Sequence, residues 1–285
     1  MPEAAAHRKA VASFAALVEP SREDASIDLA AAALAIARTE YPQLDATYYL
    51  GRLEALAQRV RNRMRSNPTA REAIALLNRV LFDEEGLRGN RDDYYDPRNS
   101  FLNDVLDRKL GMPITLSVIY MEVARRVDFP VAGTGMPGHF LLKHYDAMSG
   151  EIVIDAFHRG RIIGRAECQQ QLDEIYSGQV ELQPEFLQAV SRREIVIRML
   201  NNLRQIYFTQ RNLSKGLVIL DLLLAVPPQC PDLLRERGLV RLNLDQLLGA
   251  AQDFGAYLKA CPNADDSDDV RDTLDMLRQL LARLN

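Results

Sequence analysis

Five residues in the last third of the chain recur at a fixed interval. Arg204, Gly216, Leu220, Leu223 and Pro228 each stand 34 positions before Gly238, Ala250, Phe254, Tyr257 and Pro262. A period of this length marks repeated units stacked side by side, each burying its apolar face only against its neighbours. Gly216, Gly238 and Ala250 are small, and Pro228 and Pro262 close the two intervals. The first unit departs from the pattern, with Arg204 where a small residue belongs. Asp269–Leu284 reads as a closing amphipathic helix, entered through Asp265, Asp266, Asp268 and Asp269. Acids there favour the positive end of the helix dipole. Two and a half units are few for independent stability, so these helices are expected to pack on the rest of the protein.

The remaining sequence divides in two. Residues 1–85 read as helical throughout. Leu29, Ala32, Ala33, Ile36 and Ala37 recur at helical spacing up to Pro42, and a second helix from about Asp45 to Met64 carries Tyr49, Leu53, Leu56 and Val60 on one face. After Asn67-Pro68-Thr69, a third helix carries Ala73, Leu76, Leu77, Val80 and Leu81. Residues 86–180 change character, with loop signals at Gly86–Asn90 and Asp96–Ser100. The expected organisation is therefore 1–85 as a helical region packing on a core, 86–190 as that core, and 191–285 as the repeat domain.

Composition narrows the function classes. A net charge of −4 with no long Lys/Arg block argues against nucleic acid as a partner. The three cysteines, Cys168, Cys230 and Cys261, form neither a disulfide framework nor a zinc pattern. No stretch approaches the roughly 20 apolar residues that span a bilayer, and residues 1–20 lack the features of a signal peptide. A cytoplasmic protein without membrane partners is the natural expectation.

The chemistry concentrates in residues 86–180. Phe101–Leu110 reads as a short helix stopped by Gly111. Pro113 then opens another helix, with Leu116, Ile119, Tyr120 and Val123 as its buried stripe to about Val127. Strands are expected at Phe129–Gly133, Gly138–Tyr145 and Ile152–Phe157, the last two joined by a turn at Met148-Ser149-Gly150. His139 follows Pro137-Gly138, and Asp155 follows 16 residues later. A histidine and a carboxylate on neighbouring strands are the base and orienter of a cysteine-type triad. The thiol of such a triad opens a helix, where backbone N–H groups stabilise its anion. Here no cysteine precedes His139, and the helix start reads Pro113-Ile114-Thr115. The hydroxyls of Thr115 and Ser117 are the alternative nucleophiles; capping of the helix start by Thr115 is the structural explanation. His139, Asp155 and Thr115 are thus the candidate catalytic residues. The loop residues Tyr94, Tyr95, Asp96, Arg98, Asn99 and Asn103, with Ser117, are candidate binding residues at the pocket rim.

Three of the four histidines, His139, His144 and His158, fall within 20 residues. If His139 and His144 share one strand, their spacing of five puts them on opposite faces. On this reading neither a metal site nor any cofactor is expected.

Several stretches carry a family resemblance. The 34-residue period, with its small residues and terminal prolines, resembles tetratricopeptide repeats. The order of helix start, His139 and Asp155 resembles the transglutaminase-like branch of the papain-like class. That fold's helix-ending element is matched loosely by Arg126-Val127-Asp128-Phe129-Pro130. More specifically, the chain resembles the bacterial SirB family along most of its length. The likeness rests on Leu87–Asn90 with Tyr94–Asn103, on Val105-Leu106-Asp107-Arg108-Lys109-Leu110-Gly111-Met112-Pro113-Ile114-Thr115-Leu116-Ser117, and on Pro137-Gly138-His139-Phe140-Leu141. The resemblance implies an α+β fold, mostly helical, with a small antiparallel sheet in a transglutaminase-like core and C-terminal helical hairpins. The sequence departs from active transglutaminases at the nucleophile. The expected function is a non-catalytic protein that binds a protein or peptide partner through its repeats. The alternatives are a hydrolase or acyltransferase using Thr115 or Ser117 with His139 and Asp155, or a binder of small ligands or peptides.

Overall fold

A computed structural model describes residues 2–19, 23–146, 150–228 and 230–284. The chain folds into two compact units, one of residues 23–199 and one of residues 1–22 with 200–285. The 85/86 boundary expected from composition therefore falls inside the first of these. The first helix, α1 (Pro2–Ala15), belongs to the unit formed by the C-terminal helices.

In the unit of residues 23–199, α2 (Leu29–Ala37) starts at Asp28, whose carboxylate accepts the Ala31 N–H. Every residue of α2 except Ala31 is buried, the environment that an all-apolar helix requires. Next, α3 (Ala46–Arg61) is capped by Asp45 and buries Leu53, Leu56, Ala57 and Val60. Thr69 and Glu72 close a reciprocal capping box on α4 (Ala70–Asn78), which continues into a π-helical stretch, Arg79–Glu84. Two short parallel strands, β1 (Arg88–Gly89) and β2 (Leu110–Gly111), flank α5 (Leu102–Arg108). Pro113 opens α6 (Pro113–Arg126) at the first turn, where its missing N–H costs nothing. Every residue of α6 from Pro113 to Ala124 is buried, which makes it the central helix of the unit.

A four-stranded antiparallel sheet follows in simple meander order: β3 (Ala132–Gly133), β4 (Leu142–Asp146), β5 (Gly150–Asp155) and β6 (Arg161–Ile163). Leu142 lies opposite Ile154 and Tyr145 opposite Glu151. The expected strands at Phe129–Gly133 and Gly138–Tyr145 are longer than those observed, and the one expected at Ile152–Phe157 lies two residues earlier, at Gly150–Asp155. Gly138 has φ +71° and makes a turn, so β4 begins only at Leu142. Asp155 ends β5 because its own carboxylate accepts the N–H groups of Phe157 and His158. In the expected turn at Met148-Ser149-Gly150, Met148 and Ser149 lie outside the described residues. The sequence reading missed β6 and the helix α7 (Arg165–Tyr176). Met136, Leu141, Val153, Ile163, Cys168, Leu172 and Leu187 form one buried cluster between the sheet and α7. The helix α8 (Arg192–Thr209) contributes Arg192–Met199 to this unit.

In the other unit, α9 (Leu213–Ala225), α10 (Pro231–Asn243), α11 (Leu247–Ala260) and α12 (Ser267–Leu284) succeed the end of α8, and α1 packs against α9. The close approaches behind the 34-residue period are visible. A methyl group at Gly238 would meet the Phe254 ring at 2.6 Å, and one at Gly216 would overlap Phe208. The helix crossings are thus mirrored: in the first pair α9 supplies the small residue, in the second α10 does. That explains why Arg204 is tolerated; its guanidinium instead meets Glu236 at 3.0 Å. Asp253, 2% exposed, accepts from Arg237 and Arg241 at 2.6–3.0 Å, and Arg237 also reaches Asp221 at 2.7 Å. This ion network ties α9, α10 and α11 together. The architecture is α+β and mostly helical. Among the described residues, no helix is long and apolar enough to cross a membrane.

Candidate functional site

The site is built on the turn before β4 and the turn after β5. The left-handed conformation of Gly138 suits glycine, and a Cβ there would also meet Ile175 at 2.9 Å. Arg198 fastens this turn from α8, donating to the carbonyls of Met136 (2.8 Å) and His139 (2.7 Å). Its guanidinium lies over the Phe140 ring, 5.1 Å from the centroid. His139 is thereby held at 7% exposure, in the turn and not on a strand. The parity argument that set it against His144 does not apply. His144 sits on β4, with Nδ1 2.7 Å from the Pro130 carbonyl and its ring stacked on Phe129.

Asp155, fully buried at the end of β5, is the hub. His139 Nε2 lies 3.0 Å from Oδ1, and His158 Nδ1 lies 2.7 Å from Oδ2. The backbone N–H groups of Phe157 and His158 donate to Oδ1 at 3.1 and 3.2 Å, and Gln171 Nε2 donates to Oδ2 at 2.8 Å. Burial alone would raise this carboxyl. The hydrogen bonds from His139 and His158 outweigh it and hold the group far below the ordinary carboxylate range. An ionised carboxylate only accepts, so both facing ring nitrogens carry hydrogen.

Phe157 joins the site to the loop before α5. Its ring meets His139 edge-on at 5.9 Å and Tyr94 at 6.1 Å between centroids. Gly89 makes room for it, since a Cβ there would stand 2.5 Å from the Phe157 ring. Tyr94 packs against Tyr95, which is 58% exposed, and burial raises the Tyr94 phenol. The other loop candidates serve the loop itself. Asn99, fully buried, donates to the Asp93 and Tyr94 carbonyls and accepts from Asn90. Asp96 is hydrogen-bonded by Arg98 and paired with Arg108 at 3.0 Å. Burial would raise its carboxyl, but the Arg98 hydrogen bond leads the opposing effects that keep it lowered. Asn103 is buried, with Oδ1 accepting no hydrogen bond. Tyr94 is the loop candidate that the structure connects to His139 through ring contacts.

The candidate nucleophiles do not engage the imidazole. Thr115 Oγ1 is buried and directed at the Ser100 carbonyl, 3.5 Å away. Ser117 Oγ is buried without any hydrogen-bond partner. Cys168 packs in the cluster under α7, and its thiol is pushed up to about 11, chiefly by burial. Cys230 and Cys261 belong to the other unit. Sequence reasoning missed His158 as a partner of Asp155, together with Gln171, Phe157 and Arg198. The Asp155-x-x-His158 spacing was the available signal, because a tight turn after a strand brings such a side chain back onto its acid.

Comparison with known proteins agrees with this architecture. A family model described as the transglutaminase-like superfamily matches residues 47–201, and a tetratricopeptide-repeat model matches residues 203–275. A UPF0162 protein of Xylella fastidiosa (strain 9a5c) is 36% identical over 252 residues, covering 87% of this chain and 89% of its own. Protein SirB1 of Salmonella typhimurium is 24% identical over 234 residues, 82% of this chain and 86% of its own. F-box only protein 21 of Homo sapiens is 34% identical over 105 residues, 34% of this chain and 17% of its own. No solved structure matches. With a transglutaminase-like core followed by tetratricopeptide repeats, and with relatives aligned over most of its length, the chain belongs to the UPF0162 family of SirB-like proteins.

Proposed function

We propose that this protein is a non-catalytic transglutaminase-like protein that works by protein–protein interaction, with a retained His139–Asp155 pocket. The observation that carries the reading is the state of the helix start facing the triad's chemistry. Thr115 is directed at a backbone carbonyl, Ser117 makes no hydrogen bond, and neither hydroxyl is hydrogen-bonded to the imidazole. A nucleophile needs a base within about 2.6–3.2 Å, modestly looser in a ligand-free state. Tetratricopeptide repeats supply extended helical surfaces for partners, and Leu248 and Met276 are exposed apolar residues on α11 and α12. Free cysteines and the absence of a membrane-length helix among the described residues favour a cytoplasmic setting.

The test has two arms. Purified protein is assayed for glutamine-peptide transamidation and for ester and amide hydrolysis. No turnover above the His139→Ala background is expected, and His139-dependent turnover overturns the reading. In the second arm, partner capture from the host's own extract is compared between wild type, His139→Ala and Leu248→Glu/Met276→Glu. Loss in the repeat variant with retention in His139→Ala is expected. If the hydrolase alternative holds instead, Thr115→Ala or Ser117→Ala abolishes the turnover.

A further inference from the structure

The second histidine on Asp155 gives the site a property that a single base–orienter pair lacks. We propose that His139, Asp155 and His158 form a binding site for one divalent transition-metal ion of the zinc class. One ligand atom from each of the three residues lies within 4.8 Å of the other two, and none of the three is fully exposed. The two imidazole–carboxylate contacts, 3.0 and 2.7 Å, are close to the spacing of neighbouring ligands around an ion. Zinc–nitrogen and zinc–oxygen bonds of about 2.0–2.2 Å place adjacent ligand atoms roughly 3–3.5 Å apart. Movement of the rings brings the three ligand atoms, now within 4.8 Å of one another, to that spacing.

The donor set is two imidazoles and one carboxylate. It selects borderline ions such as Zn²⁺ or Co²⁺ over Mg²⁺ and Ca²⁺, which prefer all-oxygen ligands. Asp155 is also held by the N–H groups of Phe157 and His158, on Oδ1, and by the Gln171 amide, on Oδ2. Such outer hydrogen bonds are what ligating carboxylates carry in metal sites. Gln171 contributes a second, independent sign. Its Oε1 is buried and accepts no hydrogen bond, although its Nε2 is already committed to Asp155. Buried acceptors are rarely left unpaired. A fourth oxygen ligand, or a water on the ion donating to Gln171, accounts for it.

Binding exchanges hydrogen for metal. The N–H hydrogens now shared between each imidazole and Asp155 leave as protons, and the freed nitrogen pairs bond to the ion. This site rests on the geometry of the 139–158 segment and of Gln171, so it stands or falls apart from the interaction role of the repeats.

The test uses the full chain carrying Cys230→Ser, which removes the exposed thiol as a competing ligand. Chelator-treated protein is titrated with Zn²⁺ against a competing chelator, and with Co²⁺ by visible absorption. One equivalent per chain is expected, with Co²⁺ bands of a low-symmetry nitrogen–oxygen site. His158→Asn and His139→Asn should each weaken Zn²⁺ by at least about 100-fold, since loss of an outer partner alone costs about 10–100-fold. His144→Gln should leave affinity unchanged. Circular dichroism melts of each variant show whether the fold is retained, and His158→Asn, whose ring is the most exposed of the three, is the decisive one. Failure to bind one equivalent, or unchanged affinity in a folded His158→Asn protein, overturns the site.

Discussion

His158 holds the Asp155 carboxylate more closely than His139 does, at 2.7 against 3.0 Å, although only His139 is nearly enclosed by protein. One acid thus orients two imidazoles, and both turns of the site depend on its ionised form.

The acid limb of stability should report this dependence. The folded Asp155 carboxyl lies below its unfolded value, so its contribution is complete above the unfolded value of about 3.9 and is lost as pH falls towards the folded one. Thermal midpoints measured from pH 7 to pH 2 should fall more steeply below about pH 4 in wild type than in Asp155→Asn. At pH 7, Asp155→Ala should cost at least about 3 kcal/mol, because it strands several buried donors. Parallel pH profiles for wild type and Asp155→Asn would show that Asp155 is not the group responsible.

Gly138→Ala should lower stability by about 1–3 kcal/mol, the usual cost of a strained backbone position. The added methyl also presses on Ile175. Because the turn carries His139, the imidazole resonances followed by NMR should move as well. Unchanged melting and spectra would mean that the turn tolerates the side chain.

Ser117→Ala discriminates between the two views of the helix start. Ser117 Oγ is buried and unpaired, so removing it should be neutral or stabilising by about 1 kcal/mol in chemical denaturation. A clear loss of stability would reveal a hydrogen bond for this hydroxyl.

In the repeat unit, Asp253→Ala leaves Arg237 and Arg241 without their shared buried carboxylate. A loss of about 3–5 kcal/mol is expected. Arg204→Ala, which removes a half-exposed pair with Glu236, should cost less than about 1 kcal/mol. Equal effects in denaturant titrations would refute the network's role.

Local rules made much of this protein legible in its amino-acid order. The 34-residue interval, the Asp28, Asp45 and Thr69 helix starts, Pro113 at a first turn and the alanine-rich α2 follow from short-range sterics, capping and apolar periodicity. The absence of a cysteine before His139 is likewise a property of the sequence. Tertiary structure decided what those residues meet. Strand ends at Leu142 and Asp155 depend on a glycine conformation and on a carboxylate turning back on its own backbone. The mirrored crossings at Gly216 and Gly238 depend on which helix carries the ring. Gln171 and Arg198 reach the site from two different helices, and no one-dimensional spacing encodes that convergence. The sequence by itself determined the helices, the repeats and the missing thiol. Only the packed structure decided that one buried carboxylate gathers two imidazoles, because burial leaves that charge no solvent and obliges every nearby donor to turn towards it.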